Sequence, residues 1–536
     1  MSAVTQASRV SQKSSSPGIA ARLARVQLDT WVICLLGVIA LVLRVVPLQS
    51  ASTDYDEGVY WQSLRAMSLG HPLFTSIFSS QPPFFLLSLY PIYSFFAFFL
   101  GQTLVAARLG IVVYSLIGLA TMYFAARSIG GRWVGVLALA LLVADPFYLK
   151  ESYTLQAEVP AIAWGLVALA LGVAAANASG RTKHLLALAA GVALGLGILT
   201  KLFDVFILVP IVLYLLAPVA AAWSEGDHLR FRGRQALISA GLPALPDVGL
   251  LLGGCLLAVV LVLLPFVGNL GTVYDQVIHY HLIASQYAGH TLGYNIKLVL
   301  GNPVEYPLAL LALVSFALAI RERGWILLVP VLWLLVTLAF LLKQQPLLDH
   351  DRLILVPPLV LMGSLIIWQY QPGAVGASRR AAPPQRAPLV SGQVLLRFSV
   401  VVVLLSLFIG VVGTHRDVNA PLPQASVEMA SALRAATLPG DLVASDDQYI
   451  AGLADRNVPP ELVDTSQVRI LSGYLPASKL ESLITHYDVR VILFASGRFD
   501  MIPGFRSWVE ANFTQIASFG DGRALYMKAP QGPLPA

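Results

Sequence analysis

The densest group of carboxylates in this 536-residue chain is the segment Asp54-Tyr55-Asp56-Glu57. Adjacent carboxylates raise one another's proton affinity, and a low-dielectric surface adds to this effect. Such a pair can supply a general base that titrates near neutral pH, together with a second carboxylate that orients it or stabilises charge. A solvated acidic loop would carry the same charges, so the segment alone leaves both interpretations open.

Other charged residues stand at the ends of apolar segments, on the face of the membrane that also carries this acidic group. Glu158 precedes one apolar segment, Arg108 lies at the beginning of another, and Lys201 follows a third. His350 and Arg352 belong to the segment Asp349-His350-Asp351-Arg352. Cations could hold a phosphate as it leaves, while a carboxylate takes a proton from an attacking hydroxyl. Taken singly, each cation is more simply explained as a side chain that snorkels to the interface.

No metal site or other cofactor is indicated. The three histidines between residues 268 and 303 do not form a recognisable zinc-ligand pattern, and the two cysteines have no zinc spacing. A divalent cation would be compatible with the carboxylates. The chain also lacks a Walker A loop and a Rossmann glycine fingerprint, which argues against an ATP-driven pump and a soluble nucleotide-sugar enzyme.

The elements that must position these residues are membrane helices. The chain is 57% apolar and only 12% charged, with a mean hydropathy of +0.73, and its charged share is roughly half that of a soluble domain. A span needs about 20 apolar residues, and eleven segments fit. They lie at roughly 31–49, 105–126, 133–149, 159–177, 185–200, 203–222, 248–267, 304–320, 325–342, 353–370 and 394–413.

Lysine and arginine cluster in the N-terminal tail and in alternate short loops. This distribution predicts a multi-pass protein of the plasma membrane, with a cytoplasmic N-terminus and an extracytoplasmic C-terminus. The net charge of +6 lies in these clusters, so it indicates membrane topology and no nucleic-acid partner.

One further apolar segment, residues 82–100, is long enough to span. If it crossed the membrane, the basic loops that follow would move to the outer side. We therefore predict a helix at the outer interface, where aromatic residues are favoured. The alternative is a twelfth span.

The chain changes character after residue 414, where charge density becomes ordinary and short helix-like and strand-like segments alternate. We predict helices at SVEMASALRAA, KLESLITHY and RSWVEANF, buried strands at DLVAS and VRVILFA, and an edge strand at ALYMKA. The predicted organisation is a cytoplasmic tail (1–30), a helical bundle (31–413) and a small extracytoplasmic α/β domain (414–536).

The order of several short motifs resembles a known family. Asp56-Glu57 is followed by Gln81-Pro82-Pro83-Phe84-Phe85, Ala106-Ala107-Arg108-Leu109, an acidic residue at 158 and Thr200-Lys201. Over roughly residues 30–370 this order resembles the GT-C glycosyltransferases of the dolichyl-phosphate-mannose protein mannosyltransferase type. These form family 39, to which bacterial aminoarabinose and mannosyl transferases are related.

This resemblance implies a polyprenyl-phosphate-linked sugar donor, mannose or a similar monosaccharide. The sugar would pass with inversion to a hydroxyl of a protein, glycan or lipid acceptor on the extracytoplasmic side. The resemblance also implies roles for nine residues. Asp56 would be the general base, Glu57 its support and Glu158 the second acid. Phosphate ligands would be Arg108, Lys201 and Arg352, and substrate contacts would be Tyr55, Gln81 and His350. Gln81 departs from the pattern, since relatives often carry a basic residue or histidine there.

A secondary transporter or lipid flippase is the main alternative. Such proteins usually have inverted repeats and helices that are broken near the bilayer midplane. Here the charged residues gather at the outer ends of spans and no paired repeat is evident. A non-catalytic receptor with a membrane anchor would not need so many ionisable residues there.

Overall fold

The computed structural model describes residues 28–52, 54–216, 244–287, 291–322, 328–370 and 390–528. Most of the predicted cytoplasmic tail, the end of the predicted span 203–222 and His290 lie outside the described residues.

The first 370 residues are almost entirely helical in the described parts. In chain order the α-helices are α1 Leu28–Val45, α2 Tyr55–Ser68, α3 Pro83–Leu100, α4 Leu104–Gly130, α5 Arg132–Ala144, α6 Pro146–Glu151, α7 Glu158–Asn177, α8 Gly180–Ile198, α9 Leu208–Leu215, α10 Leu245–Leu263, α11 Leu270–Tyr274, α12 Tyr280–Tyr287, α13 Leu292–Leu300, α14 Tyr306–Glu322, α15 Leu328–Lys343 and α16 Val356–Ser364. A long helix, α17 Gly392–Asn419, follows the undescribed segment 371–389.

The predicted fold class, a polytopic helical membrane protein with a small C-terminal α/β domain, is confirmed. Within the described residues, eight helical stretches are long and apolar enough to cross a membrane, and three apolar helices are shorter. The eight are Leu28–Gln49, Pro83–Leu100, Leu104–Gly130, Glu158–Asn177, Leu245–Tyr287, Pro303–Ile320, His350–Trp368 and Gly392–Asn419. The number of eleven spans stays a prediction.

Helix α3 has the length of a span, and residues at both of its ends form hydrogen bonds with other segments. At its start, the Phe84 amide donates to the Leu199 carbonyl, next to Lys201. Beyond its end, the Gln102 carbonyl accepts hydrogen bonds from Trp61 and Arg65 of α2. The interfacial position of residues 82–100 stays a prediction, because this helix is also long and apolar enough to cross a membrane.

The C-terminal domain is built on a four-stranded sheet, with β1 Val443–Ser445, β2 Val491–Phe494, β3 Phe513–Gly520 and β4 Arg523–Lys528 in the order β1-β2-β4-β3. The β1–β2 pair is parallel, and β4 is antiparallel to both of its neighbours. The helices are α18 Gln424–Ala435, α19 Gln448–Leu453, α20 Gln467–Leu471, α21 Ala477–His486 and α22 Phe505–Asn512.

The strand prediction was wrong in one respect. Residues 523–528 form an inner strand, and the edge strands are β1 and β3. The side chains of β3 are mostly exposed. They lack the apolar alternation that identifies strands in a sequence. The predicted domain boundary at residue 414 falls within α17, which continues to Asn419.

The C-terminal domain docks on α2 through α19, and glycines allow the two helices to approach closely. A Cβ atom at Gly58 would lie 2.5 Å from the backbone nitrogen of Tyr449, and one at Gly452 would lie 2.2 Å from the Trp61 ring. Arg65 adds a hydrogen bond of 2.6 Å to Asn457. The acidic segment at the start of α2 is therefore packed beneath the C-terminal domain.

Candidate active site

The acidic segment forms the first turn of α2. Asp54 is the N-cap, and its Oδ1 accepts the Asp56 amide at 2.9 Å, as short polar residues commonly do at helix starts. The Asp56 side chain is half-buried. Burial, and next the negative charge of Asp54, raise the pKa of Asp56 to about 7, with His350 opposing the rise. Asp56 can therefore titrate near neutral pH, as a general base requires.

Glu57 and Arg108, by contrast, form a closed pair. Arg108 Nε and Nη2 donate to the two Glu57 carboxylate oxygens at 2.8 and 2.6 Å. Arg108 Nη1 donates to the carbonyls of Leu48 and Ser50, and the Leu155 amide donates to Glu57 Oε1 at 2.7 Å. Both side chains are buried. All three guanidinium nitrogens are in use, so this geometry argues against the predicted phosphate-binding role of Arg108.

Lys201, Glu158 and His350 come together as one cluster, with Asp351 as a further member. Lys201 Nζ contacts the Glu158 carboxylate and lies 2.9 Å from Asp351 Oδ1. His350 Nε2 lies 3.6 Å from Glu158 Oε1, and its Nδ1 lies 3.7 Å from Asp54 Oδ2. His350 thus joins this cluster to the acidic turn of α2.

Three members of this cluster could also hold a metal ion. Glu158, His350 and Asp351 each offer a ligand atom, and these atoms all lie within 4.8 Å of one another. The Lys201 ammonium group, however, already contacts the Glu158 and Asp351 carboxylates. A metal ion would have to displace this cation, so the residues fit a lysine-centred cluster better than a resident metal.

Arg352 belongs to a different set of contacts. Its Nη1 lies 3.0 Å from Glu305, its Nη2 lies 2.6 Å from Asp349, and its guanidinium group stacks over the Phe147 ring. Arg352 is fully buried, and among the described residues it shares no ion-pair partner with Lys201. This arrangement argues against its predicted role as a phosphate ligand.

Tyr55 faces the C-terminal domain. The Thr465 amide donates to the Tyr55 hydroxyl at 2.7 Å, and the Arg498 guanidinium carbon lies 3.8 Å from the centre of the Tyr55 ring. Gln81 lies beside Tyr60: burial and the charge of Asp56 raise the pKa of Tyr60, and Gln81 opposes this rise through a side-chain hydrogen bond. Tyr55 therefore contributes to domain docking, and Gln81 borders the site.

The sequence analysis missed the residues that the C-terminal domain brings to this site. Asp464 adds a negative charge that raises the pKa of Asp56, and Arg498 covers Tyr55. Arg469 is buried with its guanidinium carbon 3.9 Å from the centre of the Phe78 ring. No motif marks these residues, because they reach the site only through the docking of α19 on α2.

Comparisons with known proteins bear on the fold that carries this site. A family model described as dolichyl-phosphate-mannose-protein mannosyltransferase matches residues 80–233, which include Gln81, Arg108, Glu158 and Lys201. The structure of ArnT from Cupriavidus metallidurans in the apo state superposes with a TM-score of 0.61 at 16% identity, covering 94% of this chain and 100% of that chain. The chain has an ArnT-like GT-C fold.

Two further structures share this GT-C fold. ArnT bound to undecaprenyl phosphate matches with a TM-score of 0.59 at 15% identity, over 94% of this chain and 100% of that chain. The oligosaccharyltransferase AglB from Archaeoglobus fulgidus, in complex with an inhibitory peptide and a dolichol-phosphate, matches with a TM-score of 0.50 at 13% identity. That match covers 91% of this chain and 72% of AglB. No curated protein sequence matches the chain.

Proposed function

We propose that this protein is a glycosyltransferase that moves a monosaccharide from a polyprenyl-phosphate carrier to a hydroxyl acceptor on the extracytoplasmic side of the membrane. The sugar would be mannose or a similar hexose. The GT-C fold supports this proposal, as do the lipid phosphates in the structures of ArnT and AglB. The observation that carries it is the half-buried Asp56, whose pKa lies near 7, at the junction of the bundle and the C-terminal domain.

Asp56 is the proposed general base. Its carboxylate takes the proton of the acceptor hydroxyl while the acceptor oxygen forms a bond to the anomeric carbon. The bond from that carbon to the phosphate oxygen breaks, and the lipid phosphate leaves with the electron pair. One displacement inverts the anomeric configuration. A phosphate leaving group needs stabilisation of charge more than protonation, unlike the poor leaving group in inverting hydrolysis, which needs a second carboxylic acid.

The neighbouring residues hold this base in place. The Glu57–Arg108 pair ties the first turn of α2 to α4 and to the carbonyls of residues 48 and 50. His350 and Lys201 offset the charges of Glu158 and Asp351, so that several carboxylates can remain together. Without these cations, mutual repulsion would oppose ionisation of Asp56.

The test is sugar transfer by the purified full-length protein. Incubation with labelled polyprenyl-phosphate mannose and a hydroxyl acceptor should yield glycosylated acceptor and free lipid phosphate, with donors carrying other sugars compared in parallel. Asp56→Asn should abolish release of lipid phosphate. Asp521→Asn, at a side chain 85% exposed in the β3–β4 turn, is the matched control and should retain full activity.

A result against the proposal would be equal turnover by Asp56→Asn and wild type. Transbilayer movement of the lipid in proteoliposomes, without any release of lipid phosphate, would instead support the flippase alternative.

A further inference from the structure

The proposed reaction needs a cation for the lipid phosphate, and the cations expected from the sequence are already paired. Arg108 forms an ion pair with Glu57. Arg352 forms ion pairs with Glu305 and Asp349. Lys201 forms ion pairs with Glu158 and Asp351. A buried cation that is neutralised in this way has little attraction left for a phosphate. The bundle side of the site is in fact rich in carboxylates, which would repel one.

Arg498 of the C-terminal domain, unlike these three cations, is not paired with a carboxylate among the described residues. Its Nη1 donates to the Asp446 carbonyl at 3.2 Å and to Ser496 Oγ at 3.0 Å, and no hydrogen bond from Nε or Nη2 occurs in the described part of the chain. The side chain is half-buried. The carboxylates of Asp446 and Asp447 act on its charge from nearby without forming an ion pair with it. Arg498 therefore keeps free N–H groups within reach of a ligand.

The guanidinium group of Arg498 is held in place by the Tyr55 ring and by its own loop. The guanidinium carbon lies over the Tyr55 ring, 3.8 Å from the ring centre, and Tyr55 immediately precedes Asp56. The Asp446 carboxylate holds the loop around Arg498 by accepting the amides of Ala495, Ser496 and Phe499 at 2.6, 3.0 and 3.2 Å. A guanidinium group that is held at a fixed place loses less conformational entropy on binding an anion.

We propose that Arg498 binds the phosphate of the polyprenyl-linked donor, so that the C-terminal domain completes the active site. This inference rests on the proposed function. Arginine suits phosphate because its planar N–H groups match two phosphate oxygens at once. Its placement on the domain opposite the carboxylate cluster also separates the cation from the base. A cation in direct contact with Asp56 would favour the ionised carboxylate and weaken it as a base.

The test measures binding without turnover. The purified full-length protein is titrated with undecaprenyl phosphate and, in parallel, with undecaprenol, which has the same chain and no phosphate. Wild type should prefer the phosphate. Arg498→Gln should weaken binding of undecaprenyl phosphate at least about tenfold, since charge-assisted hydrogen bonds are lost, and should leave undecaprenol binding unchanged. Unchanged undecaprenol binding also shows that the variant is folded.

Two further variants sharpen the result. Arg490→Gln removes a cation that is 70% exposed on the same domain, and it should bind like wild type. Arg498→Lys keeps the charge without the planar group and should fall between wild type and Arg498→Gln.

The outcomes separate this inference from the function on which it rests. A wild-type protein that binds both lipids equally would overturn the proposed function and this inference with it. A wild type that prefers the phosphate, with Arg498→Gln keeping the same preference, would overturn the role of Arg498 alone.

Discussion

The guanidinium group of Arg108 holds both carboxylate oxygens of Glu57, at 2.8 Å from Nε and 2.6 Å from Nη2, although the two residues are 51 positions apart. Neither side chain is accessible to solvent. The pair joins α4 to the first turn of α2 and so determines where Asp56 lies. The charged groups of both residues find their hydrogen-bond partners within the protein, and the role of the pair is therefore to position Asp56.

Glu57→Gln should therefore destabilise the protein strongly. The substitution leaves the Arg108 charge buried without its partner, and breaking a buried pair in this way costs about 3–5 kcal/mol. Thermal unfolding of the purified protein in detergent measures the effect. Asp455→Asn is the control, because the Arg65–Asp455 pair ends on a carboxylate that is 75% exposed and should contribute less than about 1 kcal/mol. Equal losses in the two variants would contradict the positioning role.

The pH dependence of transfer should report Asp56. Because the pKa of Asp56 is raised to about 7, the rate should rise with pH and level off above about pH 8. Asp54→Asn removes a negative charge that raises the pKa of Asp56, so the inflection should move to lower pH. Asparagine can still cap the helix. Initial rates between pH 5 and 9 test this, and an unmoved inflection would assign it to another group.

The raised pKa of Asp56 should also make the stability of the folded protein fall as pH rises. A folded-state pKa of about 7, above the ordinary value of 3.8, means that the folded protein holds a proton on Asp56 that the unfolded chain releases. Asp56 therefore contributes less favourably to stability as pH rises from about 4 to 7. Asp56→Asn should melt at or above the wild-type temperature at pH 8 while lacking activity. A lower melting temperature would attribute its inactivity to misfolding.

Docking of the C-terminal domain should depend on the absence of a side chain at residue 58. A Cβ atom there would lie 2.5 Å from the Tyr449 backbone nitrogen, so Gly58→Ala should force α19 away from α2. We expect faster proteolytic release of the C-terminal domain and loss of transfer. Gly413→Ala is the control, since nothing lies within 4 Å of a Cβ at that position. Identical proteolysis of the two variants would refute the role of this contact.

Removal of divalent metal ions should not affect the wild-type enzyme. Lys201 already supplies a positive charge to Glu158 and Asp351, so transfer should be unchanged after treatment with EDTA. Lys201→Ala should be inactive and less stable, because two buried carboxylates lose their cation. In that variant Glu158, His350 and Asp351 become free to bind a metal ion, and manganese or zinc should raise its melting temperature. Loss of wild-type activity in EDTA would contradict the lysine-centred arrangement.

Much of the fold could be predicted because the signals for it are local. Apolar segments of about 20 residues identify membrane helices wherever they occur, and the distribution of basic residues indicated that residues 82–100 do not cross. That interpretation of residues 82–100 stays a prediction, since α3 has the length and hydropathy of a span. In the C-terminal domain, β3 escaped prediction because its exposed side chains carry no alternating pattern, and pairing with β4 stabilises it instead.

Residue types at the site were predictable, whereas their partners were not. The segment around Asp56 and the residues Glu158, Lys201 and His350 were recognised from composition and motif order. The pairing of Arg108 with Glu57 could not be recognised, nor could that of Arg352 with Glu305, because a cation at the end of a span is equally compatible with a phosphate or a carboxylate.

The sequence by itself therefore determined the class of the protein, the face on which its ionisable residues gather and the identity of the proposed base. Each of these depends on hydropathy, charge or motif order along the chain. Only the tertiary structure decided which charged side chains pair with one another and which stay unpaired. Lys201 meets Asp351 across 150 residues, and Arg498 reaches Tyr55 from a separate domain. Electrostatic energy depends on distance in space, and in this fold that distance is set by the packing of helices and by two glycines between α2 and α19.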